Sequence, residues 1–156
     1  MKKFYLRVFF LCSIVSTSIV QAQQPNLYRE PDHNRQKIFQ QLPDSLIFQP
    51  ERLVELLERK IGEKVQVPVG IESKLVLTGQ VVSITNKYDG RIQSIVIRTN
   101  ENPDIMILFS RIVSDNGEII YRGYLRGKES GDLYVAANLT GKWQWIRKGF
   151  YDVINE

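Results

Sequence analysis

The sequence predicts an α+β fold in which one amphipathic helix packs on a meander of six to seven antiparallel strands, either open or curled into a partly closed barrel. Residues 50–62 have apolar side chains at helical spacing, and residues 64–148 divide into short alternating or β-branched runs. Glycine, asparagine and aspartate separate these runs, as in hairpin turns. Helices do not alternate with strands, so parallel βαβ units are not expected.

The predicted helix is the segment PERLVELLERKIG. Pro50 suits the first helical turn, and Gly62 suits the position after the last one. Acidic side chains lie in the first turn and basic ones in the last, as the helix dipole favours. Its apolar face is formed by Leu53, Val54, Leu56, Leu57 and Ile61. Before it, residues 35–48 are expected to form a short helix and an extended anchor.

Seven runs after Gly62 are predicted to be strands. The first, KVQVPVG, contains Pro68, which cannot donate to a ladder and therefore predicts an edge strand. The Asp-Gly pair in NKYDGR predicts a tight hairpin turn. In the last run, KWQWIRK, alternation places Trp143 and Trp145 on one face and mostly polar, long side chains on the other. We therefore expect the tryptophans to point into the core.

The register of one hairpin can be predicted from the sequence. A three-residue loop at 115–117, with its glycine in the left-handed conformation, pairs Val113 with Ile119. The same register sets Phe109 opposite Gly123, where an aromatic ring can cover the bare backbone. A slip of one residue would oppose two arginines and divide the apolar side chains between the faces, which is unfavourable.

The beginning of the chain is expected to be an export signal. Residues 1–22 contain a basic start, an apolar run and small or apolar residues before a cleavage site between Ala22 and Gln23. The apolar run is too short for a stable membrane span, which needs roughly 20 residues. Residues 23–34 are polar and are expected to form a flexible leader, and residues 35–156 a single globular domain. The expected location is periplasmic or extracellular.

Removal of the signal would change the composition of the chain. It would take away Cys12, the only cysteine, so neither a disulfide nor thiol chemistry is expected. It would also remove three of 21 basic residues and none of 17 acidic ones, so the net charge would fall from +4 to +1. A chain so close to neutral does not favour a nucleic-acid partner.

Few residues suggest catalysis or metal binding. His33 is the only histidine and lies in the predicted leader, so neither a positioned triad nor a zinc site is expected. Asp132 and Asp152 are the acids that a glycosidase-like hydrolase could use, although the sequence does not set their separation. Asn138 begins a glycosylation sequon that we interpret as a turn. No cofactor is predicted.

The function that the sequence favours is non-catalytic binding of another secreted or cell-surface protein, as by an inhibitor or a chaperone-like partner. The candidate surface is Arg122, Tyr124 and Arg126, with Lys128 just beyond the strand. Arginine and tyrosine are enriched at binding hot spots, and guanidinium groups suit a carboxylate-bearing partner. The same residues also fit an ordinary solvated strand face, or a face covered by the helix at residues 50–61.

Two other functions use different residues. A small ligand or a glycan could bind an aromatic face built from Trp143 and Trp145, if that face were exposed. An acid-based hydrolase would instead need a convergent pair of carboxylates in a cleft. Exposure of the tryptophans and the placement of the acids therefore distinguish the three hypotheses.

Overall fold

The computed structural model describes residues 34–71 and 74–154, except for the side chain of Ile154. In this part of the chain, eight strands form one antiparallel sheet with the order β1-β8-β7-β6-β5-β4-β3-β2, curled into a half-barrel. The predicted export signal, its cleavage site at Ala22 and Gln23, and the leader up to His33 lie outside the described residues.

The elements follow a simple order along the chain. The helices are short: α1, Pro50–Val54, continues as a 3₁₀ turn, Glu55–Glu58, and α2, Phe150–Ile154, follows the last strand. The strands are β1 Ser45–Ile47, β2 Lys64–Gly70, β3 Leu75–Lys87, β4 Ile92–Thr99, β5 Ile105–Val113, β6 Ile119–Gly127, β7 Asp132–Leu139 and β8 Lys142–Gly149.

The strand-rich antiparallel class is confirmed, while the predicted number of elements is slightly wrong. All seven predicted strands are present, and β1 is the eighth. This strand is the extended anchor expected within residues 35–48, and it pairs with β8, Leu46 opposite Trp145. The short helix expected before it does not form in residues 35–44. A second helix, α2, was not predicted. The position of β2 at one end of the sheet agrees with the edge strand predicted from Pro68.

The first helix is shorter than the apolar spacing predicts. Arg59 has an extended backbone, with φ −72° and ψ 164°, so the helical conformation ends at Glu58. The carboxylate of Glu63 then holds the turn, because it accepts a 3.0 Å hydrogen bond from the backbone N–H of Lys60 and pairs with Arg59. Ile61, predicted to face the core, is consequently 67% exposed.

The hairpin between β5 and β6 has the predicted register. Val113 lies opposite Ile119 and Phe109 opposite Gly123, and the glycine of the loop has φ +83°. The ring that covers Gly123 is nevertheless that of Trp145, not of Phe109. A Cβ atom at position 123 would lie 2.7 Å from Cη2 of Trp145, so only glycine fits beneath the indole.

The curl of the sheet encloses one hydrophobic core. It brings the two end strands close enough for the N–H of Ile71 to donate a 2.9 Å hydrogen bond to the carbonyl of Ile47. The first helical segment adds three buried leucines to the interior: Leu53, Leu56 and Leu57. The largest fully buried side chains are those of Trp145, Tyr134 and Phe109.

Candidate binding surface

Each strand of the sheet has an inward and an outward face, and the register assigns residues to them. Residues paired across neighbouring strands share a face, and successive residues alternate. Buried Ile95, Phe109 and Trp145 define the inward face. Side chains at alternate positions between such residues therefore point outward, away from the core.

The outward positions carry basic side chains and no acidic ones. The eight strands contain nine basic residues. Two of these, Arg111 and Arg147, occupy positions on the inward face. The remaining seven point outward: Lys64, Lys87, Arg98, Arg122, Arg126, Lys142 and Lys148. The only acidic residue within the strands, Asp132, points inward and is 2% exposed. The other described acids lie in loops, turns and helices.

Apolar side chains occupy the centre of the same surface. We call this centre and its arginines the outer patch. It consists of Val96, Arg98, Met106, Leu108, Ile112, Ile120, Arg122, Tyr124, Arg126 and Val135. Its apolar members are half-buried among their neighbours, and none of them belongs to the hydrophobic core. The outer patch is thus a second apolar surface on the opposite side of the strands that form the core.

The strand β6 places the predicted binding residues in one row. Arg122 and Arg126 flank Tyr124 on the outward face, each about 7 Å along the strand from it. Both arginines and Lys128 are exposed, and Tyr124 is half-buried beside Leu108, its partner on β5. The structure therefore brings Arg122, Tyr124 and Arg126 together in one row, with Lys128 just beyond the end of the strand.

The arginines of the outer patch are not committed to intramolecular ion pairs within the described residues. The three ion pairs found there join Arg59 to Glu63, Arg91 to Asp115 and Arg147 to Asp44. Ser110, which lies opposite Arg122, has its hydroxyl group hydrogen-bonded to that of Ser94, with 2.8 Å between the two oxygen atoms. Consequently the guanidinium groups of the patch can pair with carboxylates from another molecule.

The tryptophans contribute to the core, as their alternation predicts. Trp145 is completely buried and stacks on Phe48, with ring centroids 4.7 Å apart. Trp143 is half-buried and packs edge to face against Tyr121, with centroids 5.3 Å apart. The indole N–H of Trp145 has no hydrogen-bond partner among the described residues. These rings fill the interior and do not form an exposed aromatic face.

The two candidate catalytic acids bind backbone groups. Asp132 accepts hydrogen bonds from the N–H groups of Ile38, at 2.9 Å, and Phe39, at 3.2 Å. The hydroxyl of Ser130 donates a third, at 2.6 Å. Asp152 accepts one from the N–H of Gly149, at 3.1 Å. Asp132 thereby fastens the segment before β1 to the start of β7, and both carboxylates have a structural role.

The phenol of Tyr134 is a further link to the segment before β1. Its hydroxyl donates to the carbonyl of Pro43. Burial raises the pKa of Tyr134 above its ordinary value, and the carboxylates of Asp132 and Asp44 act in the same direction, while Arg147 opposes them. The protonated phenol is therefore favoured more strongly in the folded protein than in the unfolded chain.

This pKa shift predicts a loss of stability in alkaline solution. A raised folded pKa contributes stability that is complete below the unfolded value of about 10 and disappears as pH rises through the folded value. Chemical denaturation should give a lower free energy of unfolding at about pH 11 than at about pH 8. The difference between the two pH values should be smaller in Tyr134→Phe than in the wild type. Tyr88→Phe is the matched control, since Tyr88 is 70% exposed. An equal alkaline loss in the wild type and Tyr134→Phe would contradict the prediction.

No three histidine, cysteine, aspartate or glutamate side chains of the described ranges are placed to hold a metal ion. None of the helices in those ranges has the length and hydropathy needed to cross a membrane. Comparisons with protein-family models, with curated proteins and with solved structures give no match. A fold alone does not define a function, so the chemistry of the surface is the basis for a functional assignment.

Proposed function

We propose that the protein is a non-catalytic binding module whose outer patch recognises an acidic surface of another protein. The observation that supports this most strongly is the sorting of charge: seven outward basic residues and no carboxylate among the outward strand positions. Soluble surfaces ordinarily intersperse both signs of charge, which limits long-range fields. A face of one sign is suited to attracting and orienting a partner of the opposite sign.

The apolar centre favours a protein partner over a simple polyanion. Leu108 and Tyr124 lie between Arg122 and Arg126, and Ile112 lies just beyond Arg122. A partner that covers these three side chains removes apolar surface from water. Fully burying one such side chain contributes about 1.5–3 kcal/mol. The guanidinium forks of Arg122 and Arg126 can each hold a carboxylate through two hydrogen bonds. A partner that offers both apolar groups and carboxylates is typically the surface of another protein.

A second copy of the chain is a poor partner for this surface. Face-to-face association would set the outward arginines of one copy against those of the other, and like charges brought together oppose binding. The export signal expected from residues 1–22 makes a secreted or cell-surface protein the partner class that we propose. The role would then be that of an inhibitor or a chaperone-like partner.

The alternative functions lack a supporting observation in the described part of the chain. A glycan site on the tryptophan face would need exposed rings, whereas Trp145 is completely buried. An acid-based hydrolase would need carboxylates directed toward a substrate, whereas Asp132 and Asp152 accept hydrogen bonds from the backbone.

Site-specific photo-crosslinking in the native host tests the proposal. With benzoylphenylalanine at position 124, we expect a covalent adduct with another protein, and Arg122→Glu combined with Arg126→Glu should abolish it. The thermal midpoint should barely change, because both arginines are exposed. The matched control reverses two exposed cations elsewhere, Arg52→Glu with Lys60→Glu, and should retain the adduct. An adduct that survives reversal of the two patch arginines would refute the proposal.

A further inference from the structure

A concavity lies where the outer patch meets the ends of two hairpins. It has a volume of about 350 Å³, and its apolar lining comes from Tyr88, Ile92, Ile112 and Val113. Arg91 and Asp115 also line it, and they form an ion pair with each other. Because these two charges neutralise each other, the concavity suits an apolar group better than a charged one.

The concavity is continuous with the outer patch. Ile92 lies opposite Ile112, and Ile112 lies opposite Ile120 on the next strand, all on the outward face. From Ile120 the outward row of β6 continues through Arg122 to Arg126. A molecule lying along β6 would therefore have one end at the concavity and the rest over the arginines.

The rim of the concavity contains an exposed aromatic side chain on an unusual backbone. The turn from β3 to β4 needs left-handed residues only at Asp89 and Gly90, closed by the 3.1 Å hydrogen bond from the N–H of Arg91 to the carbonyl of Tyr88. Tyr88 itself has φ +53° and is 70% exposed. That conformation is unfavourable for a bulky residue, and such outliers cluster at functional positions.

We propose that this concavity is an anchor pocket, in which an acidic partner inserts one apolar side chain while its carboxylates pair with Arg122 and Arg126. This inference rests on the proposed function and specifies the partner. Large side chains that fill pockets commonly dominate binding at protein interfaces. The charge complementarity of the adjoining arginines identifies the segment that carries the anchor as acidic.

The register of β6 specifies the spacing within the partner segment. Arg122, Tyr124 and Arg126 follow Ile120 by two, four and six residues. An extended segment advances by about 3.3 Å per residue, as β6 does, and alternates its side chains in the same way. The segment that fits has an apolar anchor, an acidic residue two positions later, an apolar residue at four and a second acidic residue at six.

A synthetic peptide of this pattern tests the inference directly. The probe is fluorescein-labelled Phe-Ser-Glu-Ser-Leu-Ser-Glu, and the matched probe has alanine in place of phenylalanine. Fluorescence anisotropy should show at least about tenfold weaker binding of the alanine peptide. The variant Tyr88→Gly should weaken the phenylalanine peptide without lowering the thermal midpoint, since glycine readily adopts the left-handed conformation of this position.

The outcomes separate failure of the pocket from failure of the proposed function. If both peptides bind equally and the binding still depends on Arg122 and Arg126, the anchor pocket is overturned but the proposed function is not. Binding of the phenylalanine peptide that is unchanged by Arg122→Glu with Arg126→Glu would overturn the acidic-partner function. No detectable binding of either peptide would overturn the pocket. Perturbation of the Ile112 methyl resonance by phenol alone, without peptide binding, would assign the concavity to a small ligand and also overturn the inference.

Discussion

Replacement of Trp145 by alanine is expected to lower the free energy of unfolding by about 3–5 kcal/mol. The indole is completely buried, stacks on Phe48 and lies directly over the backbone of Gly123. Its removal leaves a cavity that neighbouring strands cannot fill without disturbing their ladders. Urea denaturation measures the loss of free energy of unfolding. It should be followed by circular dichroism and not by fluorescence, because the substitution removes one of the two tryptophans.

The contact between Trp145 and Gly123 supplies an internal control. Gly123→Ala alone should be strongly destabilising, since its Cβ would lie 2.7 and 2.9 Å from two atoms of a rigid, buried ring. In a Trp145→Leu background the ring is absent, so the same substitution should cost much less. Trp143→Ala should cost less than Trp145→Ala, because Trp143 is half-buried. A loss below about 1 kcal/mol for Trp145→Ala would contradict the core assignment.

Asp132→Ala is expected to have the second largest effect, lowering the free energy of unfolding by about 2–4 kcal/mol. The substitution leaves the N–H groups of Ile38 and Phe39 without their acceptor in a region where Phe39 is 3% exposed. A buried backbone donor without a partner costs about 1–3 kcal/mol. Urea denaturation measures the total loss of free energy of unfolding, and hydrogen exchange shows which part of the chain loses its protection.

Hydrogen exchange distinguishes a local release from a general loss of structure. In Asp132→Ala, the amides of Ile38 and Phe39 should exchange much faster, while those in the centre of β5 should follow the global stability. Asp132→Asn retains one acceptor oxygen and should be intermediate. The matched control is Asp152→Ala, whose carboxylate bonds a single exposed N–H. Unchanged exchange at residues 38 and 39 would show that the carboxylate does not hold the segment.

The features that the sequence predicts well are those decided by neighbouring residues. The register of the β5–β6 hairpin follows from one glycine and the cost of opposing Arg111 and Arg122. The inward direction of Trp143 and Trp145 follows from strict alternation along one strand. In each case, the determining interactions lie within about ten residues along the chain.

Features that depend on distant residues were missed. Three residues from Ser45 become a strand only because β8 is adjacent, and Asp132 is buried only because the backbone at Ile38 and Phe39 reaches it. The early end of the first helical segment was missed for a local reason: Glu63 bonds the backbone N–H of Lys60, three residues before it, and the apolar spacing does not record that contact. Such contacts have no periodicity, so a sequence pattern does not reveal them.

The candidate surface was predictable in part. Alternation along β6 places Arg122, Tyr124 and Arg126 together, as the structure has them. The absence of outward acids was not predicted: it depends on the observed start of β6 at Ile119, which leaves Glu118 in the turn, so that Asp132 is the only carboxylate within the described strands. The concavity could not be predicted from the sequence, because it requires the ends of two hairpins to lie side by side. Its one sequence trace is the bulky Tyr88 directly before an Asp-Gly turn.

The pairing of β1 with β8 has a consequence for how the chain acquires its structure during synthesis. Every other ladder of the described sheet joins strands that are consecutive in sequence, whereas Leu46 meets Trp145, a separation of 145 minus 46, or 99 residues. Leu46 and Phe48 leave the ribosome well before β8 and receive their partner only when β8 has been made. Hairpins can form progressively, yet the interior closes last. The interior of a nascent chain therefore remains open, and available to other molecules, until β8 has been made.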